Sequence, residues 1–190
     1  MKTLFKIIPA ILVLFILMQC DDPYDWNDQP NDGIPPAPVT DPIVENLHGG
    51  VVIYYTLPAD SDLLGVKARY SFSEEDEMME IFSSTDSIII VGFPDTLQRK
   101  AELVAVDLGK NESTPVEVSF QPLTPPVEIV RNTLEARATF SGVVATWENV
   151  AETEVGVSLY YEDSTGLMQL DYTYFSKGKN GYYSFRGYDS

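Results

Sequence analysis

The sequence predicts an all-β chain of two tandem β-sandwiches, the second incomplete. Three observations predict it. Short alternating runs separated by turn residues fill almost everything after Asp41, with no convincing helical segment. One element occurs twice: Gly49–Pro58, Gly-Gly-Val-Val-Ile-Tyr-Tyr-Thr-Leu-Pro, returns at Ser141–Asn149 as Ser-Gly-Val-Val-Ala-Thr-Trp-Glu-Asn. Setting Gly50 on Gly142, 92 positions later, puts Val51 on Val143, Val52 on Val144, Ile53 on Ala145 and Tyr55 on Trp147. A glycine turn leading into an alternating strand that ends in a large aromatic nucleates a sandwich core, and its recurrence means one domain plan used twice. The third observation is that the copies run out differently. Ser87–Phe93 corresponds to Tyr182–Tyr188, after which the first copy has two more strands and the second has only Asp189 and Ser190.

Residues 1–19 are a different material. Lys2 and Lys6 make a positive start, and Ile7 to Met18 is apolar apart from Pro9. About twelve apolar residues are too few to cross a bilayer as a helix, so this stretch reads as a cleaved signal peptide. Cys20 follows directly and is the only cysteine, which leaves no intrachain disulfide to form. Its place, with Leu17 three residues before it, resembles a bacterial lipoprotein signal, whose cysteine is acylated and becomes the mature N-terminus. Several acyl chains on Cys20 would anchor stably where one is marginal. The 190-residue chain has 12 Lys and Arg against 29 Asp and Glu; without Lys2 and Lys6 that becomes 10 against 29, a formal charge of −19. Such an excess of acid argues against nucleic acid and against an anionic membrane surface as partners.

Residues 20–36 read as an acidic, proline-rich tether. Asp21, Asp22, Asp25, Asp28 and Asp32 repel one another, and Pro23, Pro30, Pro35 and Pro36 hold the segment extended, reaching up to about 60 Å with Pro38 and Thr40 included. Tyr24 and Trp26 either pack on the first domain or stay loose. Cys20-Asp21-Asp22 resembles the export signal that follows the lipidated cysteine in Bacteroidota surface lipoproteins. That resemblance implies an outer-membrane, lipid-anchored protein facing the cell exterior; the plain alternative is a solvated linker.

The first domain is predicted over 37–122, with strands at 42–47, 51–57, 63–72, 78–83, 87–92, 99–107 and 115–120. Alternation puts Val51, Ile53, Tyr55 and Leu57 on the core face and Tyr54 outside. It likewise turns Leu64, Val66, Ala68 and Tyr70 inward, with Lys67 and Arg69 outward. The run Asp86–Phe93 is apolar on both faces, as a central strand covered on both sides would be. Ala105-Val106-Asp107-Leu108-Gly109-Lys110-Asn111-Glu112-Ser113 resembles the hairpin that ends a fibronectin type III-like domain, lengthened by Lys110. Asp, Gly and Asn accept tight-turn dihedrals and bond their own backbone, so the motif reports a turn. In that family a tyrosine six residues before the alanine makes a corner hydrogen bond. Here the position is Arg99, and the bond is expected to be absent or replaced.

Pro122-Leu123-Thr124-Pro125-Pro126 is a short stiff link. The second domain, 123–190, is predicted to have strands at 127–131, 134–140, 143–148, 154–162, 167–175 and 181–187. Val155, Val157, Leu159 and Tyr161 alternate inward, as do Met168, Leu170, Tyr172 and Tyr174. By the repeat alignment this sandwich lacks its last two strands, as a fragment or truncated product would, leaving apolar faces and strand edges open.

The whole arrangement resembles Bacteroidota surface lipoproteins of unknown function found beside outer-membrane glycan-uptake systems. They carry a lipidated cysteine, a fibronectin type III-like domain, a second sandwich and a discoidin-like sandwich, the last not present in these residues. Its marks are Cys20, Gly49-Gly50 with Tyr55–Pro58, Ala105–Ser113, Pro122–Val127 and Ser184–Gly187. It implies a non-catalytic accessory to glycan binding or uptake. The alternative is a spacer that docks onto another outer-membrane protein by its sheet edges, without a small ligand.

Catalytic readings are poor. His48 is the only histidine and reads as a solvated turn residue; no phosphate loop or His/Cys metal cluster exists, and no cofactor is expected. Asp60-Ser61-Asp62 and Glu74–Glu77 read as solvated acidic loops without calcium-loop spacing. Of 11 tyrosines most fall on core faces. Tyr54 and Tyr160, with Phe175, are the outward rings on which a sugar could stack.

Overall fold

In the computed structural model, which describes residues 32–73, 75–140 and 142–187, the two glycine-led strands are the central strands of equivalent sheets. The signal peptide, Cys20, Tyr24, Trp26, Glu74 and Tyr188 lie outside the described residues. In the first domain β1 (Thr40–Leu47), β2 (Gly50–Thr56) and β5 (Ser87–Val91) form one sheet in the order β1-β2-β5. Facing it are β4 (Met79–Ser83), β3 (Leu63–Tyr70), β6 (Arg99–Asp107) and β7 (Val116–Phe120), in the order β4-β3-β6-β7. Every pairing is antiparallel.

After β7 a helix, α1 (Pro126–Thr133), precedes β8 (Glu135–Thr139), β9 (Gly142–Glu148), β10 (Val155–Glu162), β11 (Met168–Ser176) and β12 (Asn180–Arg186). One sheet runs β12-β9-β8; the other is the β10–β11 hairpin alone. The repeat holds at the level of register. Gly50 pairs with Val91 and Tyr54 with Ser87; Gly142 pairs with Arg186 and Thr146 with Tyr182.

The predicted core face of β2 is the observed one. Val51 and Ile53 are fully buried, Tyr55 is 4% exposed, and its counterpart Trp147 is 3% exposed. Around them Tyr70, Phe72, Phe93 and Phe120 interlock, three pairs edge to face and Tyr70–Phe93 tilted, with ring centroids 5.2–6.0 Å apart. The second core is smaller: Val130, Ala145, Trp147 and Phe185 are buried, and Val155, Val157, Leu159, Tyr174 and Tyr183 pack partly against them.

Five expectations are corrected. The 127–131 segment is a helix, not a strand. Pro126 sits at its first turn, where no N–H is lost; Glu128 lies in the first turn and Arg131 in the last, complementing the helix dipole. Val130 then plugs the end of the second core, and Thr133 Oγ1 accepts from Glu148 N at 3.0 Å, tying the helix to β9.

Leu64 is exposed. The β3–β6 register slips between Leu63 and Gly65, so alternation restarts and Leu63 packs on the core instead. The same effect acts on β11. Its pairing with β10 shifts between Leu159 and Tyr160, leaving Asp171 unpaired, so Met168 and Leu170 lie on the outer face with Tyr160. Tyr161 and Tyr172 keep the inner face but are still 42% and 49% exposed, because among the described residues no further strand extends the β10–β11 sheet.

Fourth, β5 is an edge strand. Ile88 and Ile90 are buried, while Ile89 and Val91 are open to solvent. Fifth, packing begins inside the tether. Pro36 is buried, and Ala37 N donates to Asp60 Oδ2 at 3.0 Å.

Candidate functional site

The junction between the domains is built by the opening turn. Gly49 N donates to Leu123 O and Leu123 N to Leu47 O, both at 2.9 Å, and Gly49 O accepts from Gly92 N and Phe93 N. Gly49 holds φ +64, and a Cβ there would crowd Pro126 and the Phe93 carbonyl, so glycine is required on both counts. His48 is not a solvated turn residue. It is half-buried, and its Nδ1 lies 2.8 Å from Thr124 O. A carbonyl can only accept, so Nδ1 carries the proton. The sole histidine clamps the linker.

Arg99 replaces the corner tyrosine with more bonds than it would have made. Its Nε donates to Phe72 O at 2.9 Å, and its Nη2 donates to both oxygens of Asp95 at 3.0 Å. The Asp107 turn is likewise self-contained. Asn111 donates from its backbone and side chain to the two Asp107 oxygens, both at 2.8 Å, and the inserted Lys110 takes φ +66. Asp32, Asp62 and Asp107 bring three carboxylates within 4.8 Å of one another, but Asp107 is committed to Asn111, and Asp32 Oδ1 accepts from Ile34 N.

On the outer face of the four-stranded sheet, charges pair off. Arg69 bonds Glu80 at 2.7 Å and both Glu112 oxygens at 2.7 Å, and Lys67 bonds Glu112 at 2.9 Å. The Arg69 hydrogen bond, then that of Lys67, holds the Glu112 carboxyl below its usual range. This ladder leaves little free positive charge for an anionic ligand.

The outward rings separate. Tyr54 is 42% exposed, with its hydroxyl donating to Glu45 Oε2 at 3.2 Å. That bond and the neighbouring charge hold its phenol above the ordinary range. Tyr160 is exposed on β10 opposite Leu170, and the Phe175 ring lies against Gly156.

A different tyrosine sits in the more polar setting. Tyr182 is 60% exposed on β12, in one cross-strand row with Thr146 and Glu135. Beside it a cavity of about 530 Å³ is lined also by Glu148, Asn180 and Trp147. Trp147 Nε1 is buried and has no hydrogen-bond partner. Its indole lies against Gly181, its cross-strand partner, so closely that a Cβ there would fall inside the ring. Sequence reasoning passed over Tyr182, because its counterpart Ser87 was read as part of a strand covered on both faces.

Comparison with known proteins adds to the fold. Residues 36–122 match the model of Domain of unknown function (DUF4959). Residues 123–190 match Domain of unknown function (DUF5126), so the matches meet where β7 passes into the proline link. Among solved structures, the chain is similar to the fibronectin type III domain of human fibronectin type III domain containing protein 3. The identity is 11% and the TM-score 0.40, over 48% of this chain and 89% of that one. It is also similar to a two-domain fibronectin type III segment of chicken tenascin, at 14% identity and TM-score 0.43, over 77% and 82%. No curated protein matches.

Proposed function

We propose that this chain is the body of a non-catalytic, lipid-anchored surface protein that binds glycan on the outer face of its second sandwich. The observation that carries the reading is the row Glu135–Thr146–Tyr182 beside the cavity of about 530 Å³. An aromatic face offers a sugar ring an apolar platform, while a carboxylate, a hydroxyl and an amide at its rim match the hydroxyls. Tyr182 supplies the face; Glu135, Thr146, Glu148 and Asn180 supply the rim. A non-catalytic role fits a chain with a single histidine, set in the domain junction rather than beside the Tyr182 face. The acylated Cys20 would hold this body at the outer membrane, facing the cell exterior, as an accessory to glycan uptake.

Affinity electrophoresis of the full chain through gels containing surface polysaccharides tests this. Retardation by at least one glycan is expected, lost in Tyr182→Ala and kept in Tyr54→Ala. Loss in Tyr160→Ala instead would move the site to the β10–β11 hairpin. Retardation indifferent to Tyr182 would end the proposal.

A further inference from the structure

Cations are scarce on this acidic chain, and most of the unpaired ones stand in one place. Lys67, Arg69, Arg99, Lys100 and Arg131 each pair with a carboxylate. Lys110, Arg137, Lys177, Lys179 and Arg186 complete the cations after Lys6, and among the described residues none of them pairs with an acid. All but Lys110 gather around the β12-β9-β8 sheet. Lys177 and Lys179 stand in the short loop entering β12, Arg137 on β8 and Arg186 at the end of β12. The two arginines are exposed and share the outer face with Tyr182. The row Arg137–Val144–Ser184 lies beside the row Glu135–Thr146–Tyr182, about 7 Å along the strands. Arg186 Nε donates to Ser184 Oγ at 3.2 Å, which draws its guanidinium back toward Tyr182. Acid and base are therefore sorted along this face. The arginines lie on one side of the tyrosine; Glu135 stands in its row, and Glu148 lies beyond, opposite Asn180.

We infer that the glycan is an acidic one, with its carboxylate or sulfate held by Arg137 and Arg186 while the adjoining ring stacks on Tyr182. This rests on the Tyr182 reading and names the ligand class of that face. A guanidinium is planar, stays charged and presents paired N–H donors that match the oxygens of such an anion. The first domain shows what this chain does with cations that have no ligand to meet. On the outer face of its four-stranded sheet, Lys67 and Arg69 are taken up by Glu80 and Glu112. With 29 acidic residues in the chain, partners for two more arginines are plentiful, yet Arg137 and Arg186 are left open. The excess acid sharpens the choice, because it repels a polyanion from the rest of the surface and leaves it this approach. Glu135 and Glu148 set a limit in turn. A ring stacked on Tyr182 meets them with hydroxyls, so it is neutral, and the acidic group belongs to the neighbouring unit. The fit is to a glycan that alternates neutral and acidic sugars.

Affinity electrophoresis of the full chain tests this with polymers and their neutralised forms. Hyaluronan and rhamnogalacturonan alternate a uronate with a neutral sugar and are compared with the same polymers after reduction of the carboxylates to alcohols. Carrageenan, a sulfated galactan, is compared with its desulfated form. At least one acidic polymer should be retained, its neutralised form about tenfold less, and retention should fall as salt rises. Retention by the uronates identifies the anion as carboxylate; retention by carrageenan alone identifies it as sulfate. The double variant Arg137→Gln with Arg186→Gln should weaken retention about tenfold, while Lys110→Gln, remote from the face, should leave it unchanged. If the double variant melts early, the neutralised polymers and the salt response on the natural chain decide instead. Equal retention of acidic and neutralised polymers would overturn the inference, as would a loss in Lys110→Gln as large as in the double variant. Retention of neutral polymers that is lost in Tyr182→Ala but indifferent to both arginines would end this inference and leave the Tyr182 reading standing. Retention of no polymer would end both.

Discussion

His48 Nδ1 donates to the carbonyl oxygen of Thr124 across 2.8 Å, bonding the turn that founds the first sandwich to the linker that leaves it. With the two Leu47–Leu123 and Gly49–Leu123 backbone bonds, it makes the junction a short piece of parallel pairing. His48→Ala should lower stability by about 1 kcal/mol, the worth of one side-chain hydrogen bond, and free the linker to move. Faster exchange of the Gly49 and Leu123 amides, with the interior of β2 unchanged, is the expected signature. Equal acceleration throughout the first domain would point to global destabilisation instead.

Gly181→Ala should damage the second domain alone. The new Cβ would occupy the space of the Trp147 indole, which must leave its core position. Overpacking of this kind costs about 1–3 kcal/mol. Tryptophan emission should shift red at temperatures where circular dichroism still reports a folded first domain.

Arg99→Lys keeps the charge and loses the fork. A lysine cannot bond Phe72 O and both Asp95 oxygens at once. Because Arg99 is only 13% exposed, removing this charge-assisted set should cost about 1.5–3 kcal/mol, measured as a lower denaturant midpoint at unchanged slope.

The β10–β11 turn should be acid-sensitive at low pH. Asp163 accepts from Thr165 Oγ1, Leu167 N, Thr165 N and Gln169 Nε2, which lowers its carboxyl to about 2. A depressed carboxylate stabilises the fold above its unfolded value near 3.8, and that stabilisation is lost as pH falls through about 2. Thr165 and Leu167 amide protection should therefore fade between pH 4 and 2 in the natural chain. Asp163→Asn should flatten that dependence.

Much of the fold was legible because strand alternation is a local property. Twelve strands lie where runs of alternating residues predicted them, each boundary within two residues of expectation. Burial of Tyr55 and Trp147 followed from one aligned repeat. The candidate site was less legible. Tyr54 and Tyr160 were visible as outward rings, but the Tyr182 face needs three strands brought side by side, two of them far apart in the chain.

By itself the sequence determined the architecture: two copies of one sandwich plan, their glycine-led central strands and a proline link between them. The tertiary structure decided what local pattern does not encode. Register slips at Gly65 and Asp171 inverted the faces that parity assigned, since a bulge is a relation between two strands rather than a property of one. The 126–133 segment became a helix because Val130 found the end of the second core. His48 became a clamp because a carbonyl 76 positions away came within 2.8 Å. Each of these depends on long-range pairing, which no window along the chain contains.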